Sequence, residues 1–281
     1  SAASDVYKRQ DYDGWAAAGN PGWAWRDVLP LFKRSENHFA GTSEWHGGDG
    51  EWRVERQRLS WEILEAFREA AEQSGIASVD DFNGGDNEGC SYFQVNQKRG
   101  VRWNASKAFL RDIRQRPNLQ VLTGAEAERL ELEGGRARAL HLRSQGRALR
   151  VAARREIILC AGAIGSPVLL QRSGIGPRPL LERLGIGVRH ELPGVGESLQ
   201  DHLQLRLIYR VEGVKTLNRI AATPWGKLGM GLEYLLRRSG PLSMAPSQLG
   251  AFAKSDLGQA RANLQYHVQP LSLERFGEPL H

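Results

Sequence analysis

Apolar side chains recur with a helical spacing in the first hundred residues of the chain. The pattern predicts a helix near 26–36 and a second helix that Ser60 can cap and that ends at Gly75. The apolar stripe of the second helix repeats about every 3.6 residues. It consists of Trp61, Leu64, Phe67 and Ala71. A third helix is predicted to begin at Asn104, whose side chain can cap it.

Beyond residue 118 the spacing changes to that of strands. The predicted strands are 119–123, 128–133, 137–143, 148–152 and 157–160. In the middle three, apolar residues alternate with charged ones, which is typical of an antiparallel meander with one face in water. The last is a short apolar run that predicts a buried strand.

The last quarter of the chain mixes both periods. An amphipathic helix is predicted around Tyr234–Leu236, with Gly240 ending it. Two further strands are predicted within 247–256 and 263–271. Helices and strands in this order predict a fold that combines the α/β and α+β classes.

The segment EIILCAGAIGSPVLLQRSGIGP, residues 156–177, reads as a buried strand, a glycine turn and a helix. The helix is predicted to open at Ser166-Pro167, since proline is tolerated in a first helical turn, and to close at Ser173-Gly174. Ala161, Gly162 and Ala163 have almost no side chain, so the backbone there can approach a flat or bulky ligand. Cys160 is expected to be buried at the end of the strand.

Composition excludes several classes of protein. The 281 residues are 41% hydrophobic, and no apolar run approaches the roughly 20 residues that cross a bilayer. Cys90 and Cys160 lie far apart, which predicts no disulfide framework and no metal site and makes a cytoplasmic location the default. The 38 basic residues are interleaved with 32 acidic ones, a distribution that does not indicate nucleic-acid binding.

The pattern GAxxSPxLLxxSGIG at 162–176 resembles the second signature of the glucose-methanol-choline (GMC) flavin oxidoreductases. Residues 11–37, 81–110 and 192–206 also resemble choline-dehydrogenase-type members of that family. The resemblance implies FAD as cofactor. It also implies a partial FAD/NAD(P)-binding, Rossmann-like GMC domain, together with part of a substrate domain that contains an antiparallel sheet.

The resemblance implies four segments along the chain. Residues 1–10 do not resemble the family and are expected to be a non-native leader, with a genuine disordered terminus as the alternative. Residues 11–103 would supply flavin-cover and substrate-domain segments, 104–206 an FAD-domain segment with the meander and signature, and 207–281 part of the substrate domain. No glycine pair completes the dinucleotide fingerprint G-x-G-x-x-G. The chain is therefore expected to be an internal piece of a longer enzyme whose catalytic residues lie beyond His281.

The resemblance also implies individual site residues. The backbone of Ala127 would contact the adenine of FAD, and Ala161, Gly162 and Ala163 would lie against the cofactor. Gln248 aligns with a substrate-site glutamate of choline-type members. A neutral amide lacks the charge that attracts a quaternary ammonium, so an uncharged primary alcohol is expected. His46 and His202 are expected to be structural.

The function implied is oxidation of a primary alcohol to an aldehyde by hydride transfer to flavin, with an unidentified electron acceptor. The chain alone is expected to be inactive. Two alternatives stay open: a hydroxynitrile-lyase-like enzyme on the same fold, and a non-catalytic remnant or binding module. The partner would be a small-molecule alcohol, without nucleic acid or a transmembrane segment, in the cytoplasm; membrane association of the parent protein is left open.

Overall fold

The computed structural model describes residues 9–245 and 247–272. The chain divides into two compact units. The first contains the described residues up to Arg116 and from Ile208 onward, and the second is Pro117–Leu207. The first eight residues of the predicted leader and the terminal His281 lie outside the described residues, as does Pro246.

The described residues form seven α-helices and two short helices of other types. The α-helices are Arg9–Ala17 (α1), Trp25–Ser35 (α2), Glu62–Gln73 (α3), Gly162–Arg172 (α4), Arg178–Arg183 (α5), Leu217–Ala221 (α6) and Pro224–Arg237 (α7). Ser106–Leu110 is a π-helix and Pro241–Ser243 a 3-10 helix. No helix within 9–245 and 247–272 has the length and apolarity needed to cross a membrane.

Twelve strands are present in the same residues. They are Glu36–His38 (β1), Trp52–Val54 (β2), Gly89–Tyr92 (β3), Gln97–Lys98 (β4), Val101–Arg102 (β5), Ala125–Glu133 (β6), Arg136–Ser144 (β7), Arg147–Ala152 (β8), Ile175–Gly176 (β9), His190–Glu191 (β10), Leu249–Ala253 (β11) and Leu264–Val268 (β12).

The core of the first unit lies between α3 and an antiparallel sheet of order β12-β11-β3. Leu64 of α3 and Leu249 and Ala251 of β11 are fully buried in it. The predicted α3 and both strands after residue 247 are thus confirmed. The predicted cap is wrong: Trp61 takes the N-cap position in extended conformation because its ring is buried in the same core.

Two other helix predictions are confirmed in part. Helix α2 occupies the residues predicted near 26–36. The Asn104 side chain caps the next turn, because its Oδ1 accepts the backbone N–H of Lys107 at 3.0 Å. The helix predicted after Asn104 is only the short π-helix.

The second unit is built on the predicted meander, β6-β7-β8, which is antiparallel throughout. Helix α4 packs on β6, and the parallel pair β9 and β10 comes after it in the chain. The predicted strands 119–123 and 157–160 are not formed. The parallel strands of a doubly wound sheet need neighbouring strands, and the described residues offer none to either run.

The exposure of that region corrects a further prediction. Ile158 is 74% exposed and Cys160 is also exposed, so neither belongs to a core of the described residues. A second apolar run near the end of this unit has no secondary structure and is equally exposed. Leu203, Leu205 and Leu207 are 102%, 85% and 62% exposed, and no strand of the described residues pairs with them.

Candidate functional site

The glycine turn before α4 is the centre of the site predicted from sequence. Helix α4 begins at Gly162, four residues earlier than predicted, so Pro167 lies inside the helix. Gly162 makes the turn with a φ of +83°, a conformation that glycine adopts without strain. The Ser166 hydroxyl accepts the backbone N–H of Ala161 at 3.0 Å and secures the turn.

This turn presents bare backbone to solvent. Ala161, Gly162 and Ala163 are exposed, and a Cβ added at Gly162 would meet no atom within 4 Å. The first N–H groups of a helix have no partner within the helix, and they carry its positive dipole end. An electron-rich or flat group can therefore approach the backbone here without a side chain in the way.

The far end of α4 is fixed to the meander through Ser173. This buried hydroxyl accepts the backbone N–H of Leu130 in β6 at 2.8 Å and donates to the carbonyl of Leu169 at 2.5 Å. The second predicted contact, Ala127, lies three residues before Leu130 on the same strand and is exposed. It pairs with Leu142 beside a register shift of β6. Helix and strand are thus held together at the end of α4 opposite Gly162.

Gln248 lies in the other unit, immediately before β11. Its side chain is fully buried, and neither of its amide atoms has a hydrogen-bond partner among the described residues. Its backbone carbonyl accepts from Phe93 N–H at 2.8 Å and from Gln57 Nε2 at 2.7 Å. An unpaired buried amide costs about 1–3 kcal/mol, so Gln248 is suited to meet a polar group.

A second titratable cluster has no counterpart in the sequence patterns. His46 is buried between two carboxylates, with Nδ1 at 2.9 Å from Glu36 Oε2 and Nε2 at 2.8 Å from Asp81 Oδ2. The His38 ring stacks on His46 with centroids 3.9 Å apart. Its Nε2 faces Gln94 Oε1 at 3.0 Å. Because these side chains come from separate segments, no local spacing could have revealed the cluster.

The cluster holds His46 as an imidazolium. Burial alone would lower the pKa of His46, but the hydrogen bonds to Asp81 and Glu36 outweigh it and raise the pKa to about 9. Burial and the charge on His46 both lower the pKa of His38. Burial would raise the pKa of Asp81, yet the hydrogen bond from His46 lowers it. The stacked pair is therefore one cationic and one neutral ring.

Ligand atoms of His38, His46 and Asp81 lie within 4.8 Å of one another, a spacing that a metal ion could bridge. Both nitrogens of His46 already face carboxylates. An imidazolium has no nitrogen lone pair to offer a metal ion, and the two ring planes, only 14° from parallel, do not aim their nitrogens at one point. The geometry supports an ion-paired clamp that ties β1 to two loops.

Two further histidines, His202 and His267, lie outside this cluster. His202 is exposed, and its backbone N–H bonds to the carboxylate of Asp201 at 2.8 Å. His267 of β12 stacks on Phe93 with a centroid distance of 5.3 Å. His202 Nδ1 lies 3.9 Å from Asp201 Oδ1, which is longer than a hydrogen bond, and both side chains are exposed.

Comparison with known proteins covers most of the chain. The family described as GMC oxidoreductase matches residues 7–204, which include α4, Ala127 and the His46 cluster but not Gln248. An oxygen-dependent choline dehydrogenase of Paraburkholderia phytofirmans is 36% identical over 270 residues, which is 95% of this chain and 48% of that protein. One from Sinorhizobium fredii is 36% identical over 97% of this chain and 50% of its own length.

Solved structures agree with this result. An FAD-dependent oxidoreductase from Chaetomium thermophilum superposes with a TM-score of 0.78 at 26% identity, over 87% of this chain and 46% of that one. A fungal aryl-alcohol oxidase superposes with a TM-score of 0.74 at 25% identity, over 87% of this chain and 45% of that one. The chain spans about half the length of the curated relatives it matches. The resemblance seen in the sequence is confirmed: the chain belongs to the GMC oxidoreductase family.

Proposed function

We propose that these residues form part of an FAD-dependent dehydrogenase that oxidises a primary alcohol to an aldehyde. The observation that carries the proposal is the 36% identity to oxygen-dependent choline dehydrogenases along nearly the whole chain. In this proposal 104–206 serves as the FAD-domain segment. Residues 11–103 and 207–281 contribute flavin cover and substrate domain.

The start of α4 fits a dinucleotide cofactor. Its exposed, nearly side-chain-free backbone leaves room for a flat or phosphate-bearing group at a helix N-terminus. FAD, when bound, would accept the hydride removed from the alcohol carbon. In this proposal Ala161, Gly162 and Ala163 let the cofactor approach closely. Ala127 offers backbone groups to the adenine from the edge strand β6.

Gln248 is proposed to contact the substrate. A fully buried amide whose donor and acceptor have no partner among the described residues can hydrogen-bond a hydroxyl or another neutral polar group. It cannot supply the negative charge that a quaternary ammonium requires. An uncharged alcohol is therefore the proposed substrate, in preference to choline.

The test is to express the reading frame that contains these residues and to mix the purified protein with alcohols in the absence of oxygen. We expect bound FAD that is bleached by a neutral primary alcohol, with the aldehyde formed in equal amount. Protein that binds no flavin would refute the proposal and favour the binding module. Flavin that no alcohol bleaches would favour the lyase-like alternative.

Two substitutions test the proposed contacts separately. Ala163→Trp places a large side chain at the open start of α4 and should lower flavin content, whereas Ala148→Trp on the exposed strand β8 should not. Gln248→Glu should improve kcat/KM for choline relative to a neutral alcohol. Gln204→Glu, an equal charge change on an exposed residue, should leave that ratio unchanged. An unchanged ratio in Gln248→Glu would refute the substrate contact while leaving the dehydrogenase proposal intact.

A further inference from the structure

A cavity of about 360 Å³ opens in the first unit, and its wall contains none of the residues proposed above to contact FAD or substrate. It is bounded by the loop before β2, the turn between β4 and β5, and the segment that contains the π-helix. We propose that this cavity binds a phosphate group through Lys98 and Arg99. The proposal is independent of the alcohol oxidation.

Two of the four basic side chains in the cavity wall are already paired. Arg53 donates to Asn37 Oδ1 at 2.5 Å and to Glu55 Oε1 at 3.1 Å. Arg111 makes two hydrogen bonds to Asp112, at 2.8 and 3.3 Å. The charge of each arginine is thus balanced by a neighbouring carboxylate in the cavity wall.

The other two basic side chains, Lys98 and Arg99, form no ion pair within the described part of the chain. Lys98 Nζ lies 4.8 Å from the centroid of the Trp103 ring, and the ring is itself fixed by a hydrogen bond from Nε1 to the carbonyl of Glu51 at 2.8 Å. A cation–π contact positions an ammonium without neutralising it. The ring therefore places Lys98 at the cavity wall, where its ammonium makes no salt bridge among the described residues.

Arg99 is held at the cavity by its backbone. It has a φ of 53°, a left-handed conformation that disfavours a residue with a long side chain. Its N–H donates to Glu55 Oε2 at 2.9 Å. The next residue, Gly100, has no room for a Cβ against the carbonyl of Arg238. Arg99 and Gly100, both with positive φ, form the two-residue turn that joins β4 to β5, so the hairpin itself fixes the backbone of Arg99 at the cavity wall.

A phosphate group matches this arrangement. The Arg99 guanidinium offers a planar fork of donors and Lys98 a point charge, the combination that binds phosphate oxygens well. The cavity is several times larger than a phosphate, so it also accommodates the organic part of a small phosphate ester or diphosphate. Glu51 is the acidic wall residue outside the ion pairs, and its charge opposes binding.

The experiment is calorimetric titration of orthophosphate and of pyrophosphate into the 281-residue chain at low ionic strength. We expect saturable binding to one site. Lys98→Met, which keeps an apolar stem on Trp103, and Arg99→Asn, which tolerates the left-handed backbone, should each weaken it about tenfold. Glu51→Gln should strengthen it about threefold. If pyrophosphate binds more tightly than orthophosphate, the site is assigned to diphosphates. If the two bind equally, the site is assigned to phosphate monoesters.

The control is Arg136→Asn, the same substitution on an exposed residue of the other unit, which should leave binding unchanged. Circular dichroism establishes that each variant folds. Absence of saturable binding by the wild-type chain would overturn the proposal. So would an equal loss in Arg136→Asn and Arg99→Asn, because the effect would then be one of net charge.

Discussion

The imidazolium of His46 is predicted to make the stability of the first unit depend on pH above neutrality. The pKa of His46 rises from 6.5 to about 9 on folding, and its ring is buried. Since each tenfold change in proton affinity is worth about 1.4 kcal/mol, the charged ring contributes about 3 kcal/mol. Because the folded pKa is the higher one, this contribution is complete below pH 6.5 and is lost as the pH rises through about 9.

The perturbation that tests this account is Asp81→Asn. The amide still accepts the His46 Nε2 proton but removes one of the two flanking carboxylates. We expect the pKa of His46 to fall and the stability lost between about pH 6.5 and 9.5 to shrink to about half. At acid pH the stability of the wild type depends on Asp81 instead. The hydrogen bond from His46 lowers the pKa of Asp81, so the stability that the Asp81 carboxylate contributes is lost only as the pH falls through that lowered pKa.

The assay is a titration of the histidine ring protons by NMR, combined with urea unfolding at a series of pH values. The NMR titration reports the pKa of His46 directly, which matters because two compact units need not unfold as one. Glu182→Gln, which removes the carboxylate of an exposed ion pair with Arg178, is the control and should leave both measurements unchanged. Titration of His46 near its ordinary value of 6.5, or identical pH dependence in wild type and Asp81→Asn, would refute the reasoning.

Three further predictions concern packing and exposure. Gly250→Ala should destabilise the chain by about 1–3 kcal/mol in urea unfolding, because the added methyl would overlap the Phe93 ring. Leu64→Ala should cost about 2–5 kcal/mol, since Leu64 is fully buried in the α3 core. An aromatic disulfide reagent should label Cys160 at once in the native protein. Cys90 should react only on unfolding, because it is buried and burial raises its pKa to about 11.

Matched variants separate these effects from general damage. Gly229→Ala in α7 adds a methyl where no atom lies within 4 Å, and it should stabilise the chain by up to about 1 kcal/mol. Leu235→Ala on the exposed side of α7 should change stability by less than about 0.5 kcal/mol. Cys160→Ser should abolish native labelling. Equal losses in a core variant and its control, or two reactive thiols in the native wild type, would contradict the packing described.

The sequence pattern predicts correctly those elements that are stabilised by residues close to them in the chain. The stripe of α3, the hairpin strands β6 to β8 and the glycine turn at 162 each depend on neighbours close in sequence, and each is confirmed. The strands predicted at 119–123 and 157–160 are wrong for the opposite reason. An apolar run becomes a strand of a parallel sheet only when other strands lie beside it, and that condition is invisible in the run itself.

In the candidate site, too, features set by local sequence are predicted and features set by the tertiary fold are not. The small residues at 161–163 predict an open backbone, which the structure has. The predicted start of α4 is misplaced because Ser166 closes the turn with its side chain, and a serine with proline after it resembles a cap. The His46 clamp joins residues 36, 46 and 81 and escapes detection because its members meet only through the tertiary fold.

The row formed by Leu203, Leu205 and Leu207 has a practical consequence for work with this chain. Exposed apolar side chains in a segment that no strand of the described residues covers favour contacts between molecules. We expect any self-association through this row to increase with protein concentration, so that dilute samples favour the monomer. A lysine in place of Leu205 would act as a gatekeeper and keep the chain colloidally stable.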